Sequence, residues 1–256
     1  MNQSFFIGAT GASQQMLRLN VQGNNIANVN TYGFKAEKAR FTQLLYQHMM
    51  GTEDEDVPYG VGARMLMTST DFSSGAIADT GRAQDYAIEG KGFFALYDPI
   101  TQEISFTRSG AFQSSVYTTS TNERDSNGEL VLDEEGNPLM TTILTLTDGD
   151  GRFVLGSDGD IILFKDAHES QDVGIFDYVN YDGMEHMEGT RFMPVEKNGG
   201  LLASDSKLIS GALEMSNVDL AEEMTKVIEA QRSYQAAIRI VQTSDEIETT
   251  INNLRK

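Results

Sequence analysis

The sequence predicts an α+β fold in which two long terminal helices pair, coiled-coil-like, around an inserted antiparallel β domain. Three observations carry this expectation. Small and apolar residues recur at Ala9, Ala12, Met16, Leu19, Gly23 and Ile26 in alternating steps of three and four, the spacing of a helix seam. The same spacing returns at Leu220, Met224, Val227, Gln231, Tyr234, Ile238 and Val241. Between the two lie short apolar runs separated by Gly, Asp and Asn, the texture of many short strands. The expected division is 1–36 with 217–256 as the helical unit, 37–70 as a connecting arm and acidic loop, and 71–216 as the β domain.

The first helix is expected over 3–27. Arg18 is the only charge before Lys35, and the faces away from the seam are Ser, Gln, Asn and Gly. A solvated helix normally carries charge on its outer face. This one reads as built for close contact on several sides, because Gly11 and Gly23 cost helix stability that packing must offset. Gly23-Asn24-Asn25-Ile26-Ala27-Asn28-Val29-Asn30-Thr31-Tyr32-Gly33-Phe34-Lys35 then stops the helix and turns the chain. Asparagine bonds its neighbours' backbone and favours caps and turns, and Gly33 supplies a position free to take positive φ.

From Ala36 to Met50 the apolar residues Phe41, Leu44, Leu45 and Met49 fit either a short helix or an extended arm. Gly51–Gly62 is an acidic loop around Glu53-Asp54-Glu55-Asp56, with solvation as its default state. Strands are expected at Tyr86–Glu89, Phe93–Tyr97, Ile104–Thr107, Glu129–Leu132, Ile143–Leu146, Phe153–Leu155, Ile161–Phe164 and Val173–Tyr178. Their turns are Ser126-Asn127-Gly128, Glu135-Gly136-Asn137, Asp148-Gly149-Asp150-Gly151 and Ser157-Asp158-Gly159. Gly90 and Gly92 permit a tight entry, and Phe93, Phe94 and Phe112 are expected to fill the sheet core. The second long helix is expected from Asn217, its proposed N-cap, to Leu254, with Asp219, Glu222 and Glu223 favourable in the first turns.

The 256 residues carry a net charge of −19, and the acidity is unevenly placed. Residues 1–50 hold four basic groups against one acid, 217–256 hold five against seven, and 51–216 hold ten against thirty. An acidic chain without a basic stripe excludes nucleic acid as a partner class. There is no cysteine, which removes disulfides and thiolate metal sites. The N-terminus has no basic n-region and no apolar span of membrane length, so neither a cleaved signal peptide nor direct membrane insertion is expected.

Catalytic, metal and cofactor sites are expected to be none. Asp148-Gly149-Asp150-Gly151-Arg152-Phe153 begins like a calcium loop but puts Arg152 at the third ligand position and Phe153 where glycine is required. His48, His168 and His186 are scattered, and His168-Glu169 lacks a second histidine at residue 172, which is Asp. Acid pairs are plentiful, so a glycosidase dyad is not removed by counting, yet no feature singles out two of them.

Three segments resemble one family in its order. Gly23–Lys35 is similar to the N-terminal signature of the flagellar rod and hook proteins, the axial subunits of the bacterial flagellum, with Gly23 where Ala is usual. Ile88-Glu89-Gly90-Lys91-Gly92-Phe93-Phe94 with Thr107-Arg108-Ser109-Gly110-Ala111-Phe112 resembles its central pair of motifs. Gly211-Ala212-Leu213-Glu214-Met215-Ser216-Asn217-Val218-Asp219 through Gln231-Arg232-Ser233-Tyr234 resembles its C-terminal pattern. The resemblance implies a structural axial subunit without catalytic residues. Such a subunit packs its helices into the wall of a hollow, torque-transmitting tube that conducts export. Implied partners are copies of itself, other axial proteins and the export apparatus that takes it out of the cell unprocessed. The motif residues to which the resemblance assigns assembly are Asn24, Asn25, Ala27, Asn28, Thr31, Gly33, Phe34, Gly90, Gly92, Phe93, Ser216, Asn217, Val218 and Asp219. Length argues for a rod rather than a hook member. The run Leu213–Met224 is most similar to the distal rod member, with proximal members competing. The alternative class is an acidic β-domain carbohydrate-binding protein or glycosidase that dimerises through a helical hairpin.

Overall fold

The computed structural model describes residues 3–43, 46–50, 56–60, 63–120, 140–164, 171–204 and 206–254. The expected strand Glu129–Leu132, the turns at 126–128 and 135–137, the acids Glu53, Asp54 and Glu55, and His168-Glu169 lie outside them. The chain divides into two compact units. One holds residues 1–30, 35–72 and 217–256; the other holds 31–34 and 73–216.

The first unit, called terminal here, contains helix α1 (Gln3–Ala27, 25 residues) and helix α2 (Leu220–Leu254, 35 residues). The helices run antiparallel: Ser4 Oγ lies 2.9 Å from Ser244 Oγ, and Asn25 Nδ2 donates to Glu223 Oε2 at 3.3 Å. Small side chains allow the approach. A methyl group on Gly8 would come within 3.0 Å of Val241 Cγ2 and 3.2 Å of the Ala237 carbonyl oxygen, and one on Gly11 within 3.9 Å of Ala237 Cβ. The meeting residues of α1, Ser4, Gly11, Arg18 and Asn25, are seven apart. So are Glu223, Ala230, Ala237 and Ser244 of α2, which are buried or face these neighbours. Of the segment 36–50, open between helix and arm in the sequence, the described residues 36–43 and 46–50 are extended. Strand Glu37–Gln43 pairs antiparallel with Ala63–Thr70, and Tyr46–Met50 with Asp56–Gly60. The first pair rests beside α1, where the Met65 amide donates to Gln14 Oε1 at 2.6 Å.

The second unit is an antiparallel β domain. Its main sheet runs in the order Leu163–Phe164, Met140–Thr147, Phe153–Val154, Phe93–Tyr97, Ile104–Thr107, Arg191–Met193, Glu185–His186. Gln113–Ser120 pairs with Met140–Thr147, and Ile175–Tyr178 pairs with both Phe93–Tyr97 and Leu201–Ala203. Two smaller pairs join Lys207–Ser210 to Tyr86–Glu89 and Ala212–Glu214 to Ile77–Asp79. The core is apolar and aromatic: Tyr86, Ile88, Phe94, Leu96, Phe112, Leu146, Val154 and Val173 are all fully buried. Phe94 meets Phe112 edge to face at 5.2 Å between ring centroids. Phe93, equally buried, turns to other neighbours, Phe192 and Tyr181.

Candidate functional site

The motif residues gather at two places, one in each unit, and both are hydrogen-bonded knots that fix where chain segments run. In the terminal unit the knots are built on asparagines. The α1 helix ends because Asn28 turns back: its amide donates to the Asn24 and Asn25 carbonyls, and its side-chain Nδ2 donates to Asn24 O and Oδ1, each at 3.0 Å. Asn25 is 1% exposed. It receives the Glu37 amide on Oδ1 at 2.9 Å and donates Nδ2 to the Glu37 carbonyl at 2.8 Å, so a carboxamide stands in for a strand neighbour. Asn217 does the same further on. The Ala36 amide donates to its Oδ1 at 2.8 Å, and its Nδ2 donates to the Asp71 carbonyl at 2.8 Å, while the Asp71 amide bonds the Ala36 carbonyl. One side chain thus ties the start of the 217–256 segment to both ends of the 35–72 segment. The N-cap expected at Asn217 falls instead to Asp219, whose Oδ1 receives the Ala221 and Glu222 amides at 2.8 and 3.2 Å. Asn217 lies two residues too early to cap a helix that begins at Leu220, and its carboxamide bonds Ala36 and Asp71.

In the β unit the knot is Glu214, 1% exposed. Its carbonyl receives the Gly33 amide at 2.8 Å, its Oε1 the Gly75 amide at 2.8 Å and its Oε2 the Arg108 Nη1 at 3.1 Å. Arg108, also buried, donates Nη2 to the Gly90 carbonyl at 2.8 Å and stands over the Phe93 ring at 5.5 Å. A pair this deep carries a large desolvation penalty, offset in part by the bonds to Gly75 and Gly90 and by the Phe93 ring, while Arg108 Nε has no hydrogen-bond partner among the described residues. Gly33 is required at its position. Its φ is +69°, and a Cβ there would lie 2.2 Å from the Ser109 amide nitrogen. Gly92, at φ +113°, would put a Cβ 2.7 Å from Ile175 Cγ2. Phe34 is buried at the end of the turn that the Phe34 amide closes on the Thr31 carbonyl. Beside this knot the Tyr181 hydroxyl donates to Asp177. Burial first, and then that bond, push the phenol well above its ordinary value.

The structure brings together Asn25 and Asn217 with their backbone partners, and Gly33, Gly90 and Phe93 around Arg108 and Glu214. Ala27 is exposed, and Ser216 and Val218 are half-buried. Along the helices, Ala12 is buried and Val241 half-buried at the α1–α2 contact, and Leu19, Ile26, Val227 and Ile238 are half-buried. Ala9, Met16, Leu220, Met224 and Tyr234 are exposed. Sequence reasoning quoted Arg108 and Glu214 within motifs but gave them no role. The available signal was a single charge set in an otherwise apolar strand, Ile104–Thr107 followed by Arg108, and Ala212-Leu213-Glu214. At the acidic turn, Asp148 Oδ1 holds the Asp150 and Arg152 amides, and the Arg152 guanidinium fills the space between Asp148 and Asp150. No group of three His, Cys, Asp or Glu among the described residues has metal-binding geometry.

These features define a mechanical class of protein: two terminal helices and a β domain, with the most carefully satisfied residues spent on fixing chain paths. Comparison with known proteins says which class. Residues 6–35 match the family described as "Flagella basal body rod protein", and residues 209–254 the one described as "Flagellar basal body rod FlgEFG protein C-terminal". The chain is 32% identical to "Flagellar basal-body rod protein FlgG" of Bacillus subtilis (strain 168) and 30% identical to that of Borreliella burgdorferi, with all of both chains covered in each case. It is 28% identical, again over all of both chains, to "Flagellar hook-basal body complex protein FlhP" of Bacillus subtilis. The chain belongs to the flagellar basal-body rod protein family. It is a structural subunit of the rod in the flagellar basal body and not an enzyme, and it assembles with copies of itself and with other basal-body components. No helix among the described residues is long and apolar enough to cross a membrane.

Proposed function

We propose that the chain polymerises into a helical, hollow shaft that transmits torque and conducts exported protein. In this reading it forms the distal part of the rod and reaches its place unprocessed through the flagellar export apparatus. Residues 1–36 and 217–256 form the assembly domain, 37–70 a connecting arm and 71–216 the β domain. The α1–α2 pair is an antiparallel coiled coil whose seven-residue contacts are made by small and polar residues. The observation that carries this reading is where the large apolar side chains of the terminal unit sit. Phe6, Met16, Met224, Ile228, Ile240 and Ile251 are each at least half exposed, while Gly8, Ala12, Asn25, Ala230 and Ser244 are buried. Helices that keep small residues for each other and turn large ones outward present surface for further copies. Contacts of this kind are heterologous and extend into helical filaments. The distal position rests on the resemblance of Leu213–Met224.

The test is the double substitution Met224→Ser with Ile228→Ser. Polymer growth, followed by light scattering and electron microscopy, should stop, while the circular dichroism and melting of the subunit stay within about 0.5 kcal/mol of wild type, as for exposed sites. Polymerisation at the wild-type concentration would rule out this face as the assembly surface.

A further inference from the structure

Two surfaces of the terminal unit carry charges of opposite sign that the subunit leaves unpaired. The first is on the strand pair Glu37–Gln43 with Ala63–Thr70. Arg40 stands opposite Met67, and Thr42 opposite Arg64, so the alternation along each strand puts Arg40, Arg64 and Met67 on one face. All three are exposed, and the register steps past Leu66, exposed as well. Lys38, two residues before Arg40 and on the same face, is held by Asp71 at 2.6 Å. Arg40 donates Nε to Ser69 Oγ at 2.9 Å, and neither Arg40 nor Arg64 is in an ion pair among the described residues. In a chain of net charge −19, this face runs the other way: Lys38, Arg40 and Arg64 share the single carboxylate of Asp71.

The second surface is the end of α2. Ser244 sits against Ser4, so residues 245–254 run about 15 Å past the first described turn of α1. This overhang carries Asp245, Glu246 and Glu248, all exposed and in no ion pair among the described residues. It also carries exposed Ile247, Ile251 and Leu254. One surface thus sets guanidiniums beside Leu66 and Met67, and the other sets carboxylates beside isoleucine and leucine. Guanidinium donates and carboxylate accepts, so the two are complementary. They cannot meet within one copy. The strand pair is fixed at Gln14, whose Oε1 receives the Met65 amide, and in the antiparallel register that turn of α1 lies level with about residue 234 of α2. The middle of the overhang lies about 24 Å further along the helix, leading away from the strand pair.

We propose that the α2 overhang of a second copy docks on the Arg40–Arg64–Met67 face, its carboxylates on the two guanidiniums and its apolar stripe on Leu66 and Met67. The contact is head-to-tail, since each copy offers one face and one overhang, and it gives the polymer a direction. It offsets neighbouring copies by about 24 Å along the helix direction. This rests on the self-assembly reading above.

Charge reversal on the full chain is the test. For Arg40→Glu with Arg64→Glu, and separately for Asp245→Lys with Glu246→Lys and Glu248→Lys, growth should be lost at the wild-type critical concentration while subunit melting is unchanged. All five substitutions in one chain should restore growth. Absence of recovery, with subunit melting intact, overturns the proposal. Should reversal lower the melting of the strand pair, Arg40→Gln with Arg64→Gln adds no acid there, and the critical concentration should still rise about tenfold; an unchanged value overturns the proposal. Arg232 and Arg239, exposed on α2 and in no ion pair among the described residues, are the competing target for the overhang. Arg232→Glu with Arg239→Glu should leave growth at the wild-type value. Loss of growth in that variant, with recovery when the overhang carries the three lysines, moves the contact to α2 and overturns the proposal. If the wild-type chain itself fails to polymerise, the self-assembly reading falls first and the docking proposal with it. If wild type and both reversal variants polymerise alike, the docking proposal falls alone.

Discussion

The two units of this chain spend their residues in opposite ways. The β unit buries large side chains, Tyr86, Phe93, Phe94, Phe112 and Phe192, and places a deep ion pair, Arg108 with Glu214, where the Gly75 amide and Gly90 carbonyl also bond it. The terminal unit buries mostly glycine, alanine, serine and carboxamides, with Val21, Lys35 and Glu223, and leaves phenylalanine, methionine and isoleucine outside. The first pattern is that of a unit with its own aromatic core, in which ring burial supplies the stability even though Ile100, Val116 and Val179 stay exposed. The second is that of a unit whose apolar surface is still to be buried. The difference teaches that one chain can carry a finished domain and an unfinished one, and that for a rod subunit the unfinished one is where assembly happens.

The comparison can be broken most strongly in the β unit. Phe112→Ala removes a fully buried ring at the centre of the core and should cost about 4 kcal/mol, read by denaturant unfolding monitored with tyrosine fluorescence. Arg108→Met should cost nearly as much, about 3–5 kcal/mol, because it strands the Glu214 carboxylate. Pairing Arg108→Met with Glu214→Leu should recover part of that loss, since no buried charge remains; a double variant as unstable as the single one would mean the pair acts by shape rather than charge.

A smaller and local effect is expected in the terminal unit. Asn217→Ala leaves the Ala36 amide and Asp71 carbonyl without their partner and should cost about 2 kcal/mol. Faster amide exchange at Ala36 and in Ala63–Thr70, with the β unit unchanged, would locate it.

The smallest effect is a pH dependence. Tyr181 has its phenol pushed up by burial and by the bond to Asp177, so its folded value lies above its unfolded value near 10. The stability this supplies is complete below pH 10 and is lost as pH rises through the folded value. Wild type should therefore lose stability between pH 10 and 12 more steeply than Tyr181→Phe, measured by urea midpoints across that range.

Much of the architecture was legible because local chemistry and fold agree. The α1 limits, Gln3–Ala27, follow from spacing and from the asparagines that stop it, and strands Tyr86–Glu89, Phe93–Tyr97 and Ile104–Thr107 have their expected ends because Gly90, Gly92 and the turn at 98–103 punctuate them. The segment after Ala36 was ambiguous because Phe41, Leu44, Leu45 and Met49 satisfy a helical spacing, while its structure comes from a distant pairing with Ala63–Thr70. Asn217 looked like a cap since asparagine favours caps; that Asp71, far away in sequence, claims its amide group is not a local fact. Apolar periodicity marked the helices but carries no information about which neighbour a stripe faces. Glycine and serine at seven-residue steps look like surface until another helix is laid against them.

The central claim is that the terminal unit is completed only in the polymer, and amide hydrogen exchange of subunit and polymer tests it most directly. The account predicts that 3–27 and 220–254 exchange more slowly in the polymer than in the dilute subunit, while 77–120 and 171–204 are equally protected in both. Helices as protected in the dilute subunit as in the polymer would contradict it, because burying the exposed apolar faces of α1 and α2 against a neighbour should raise the cost of opening them.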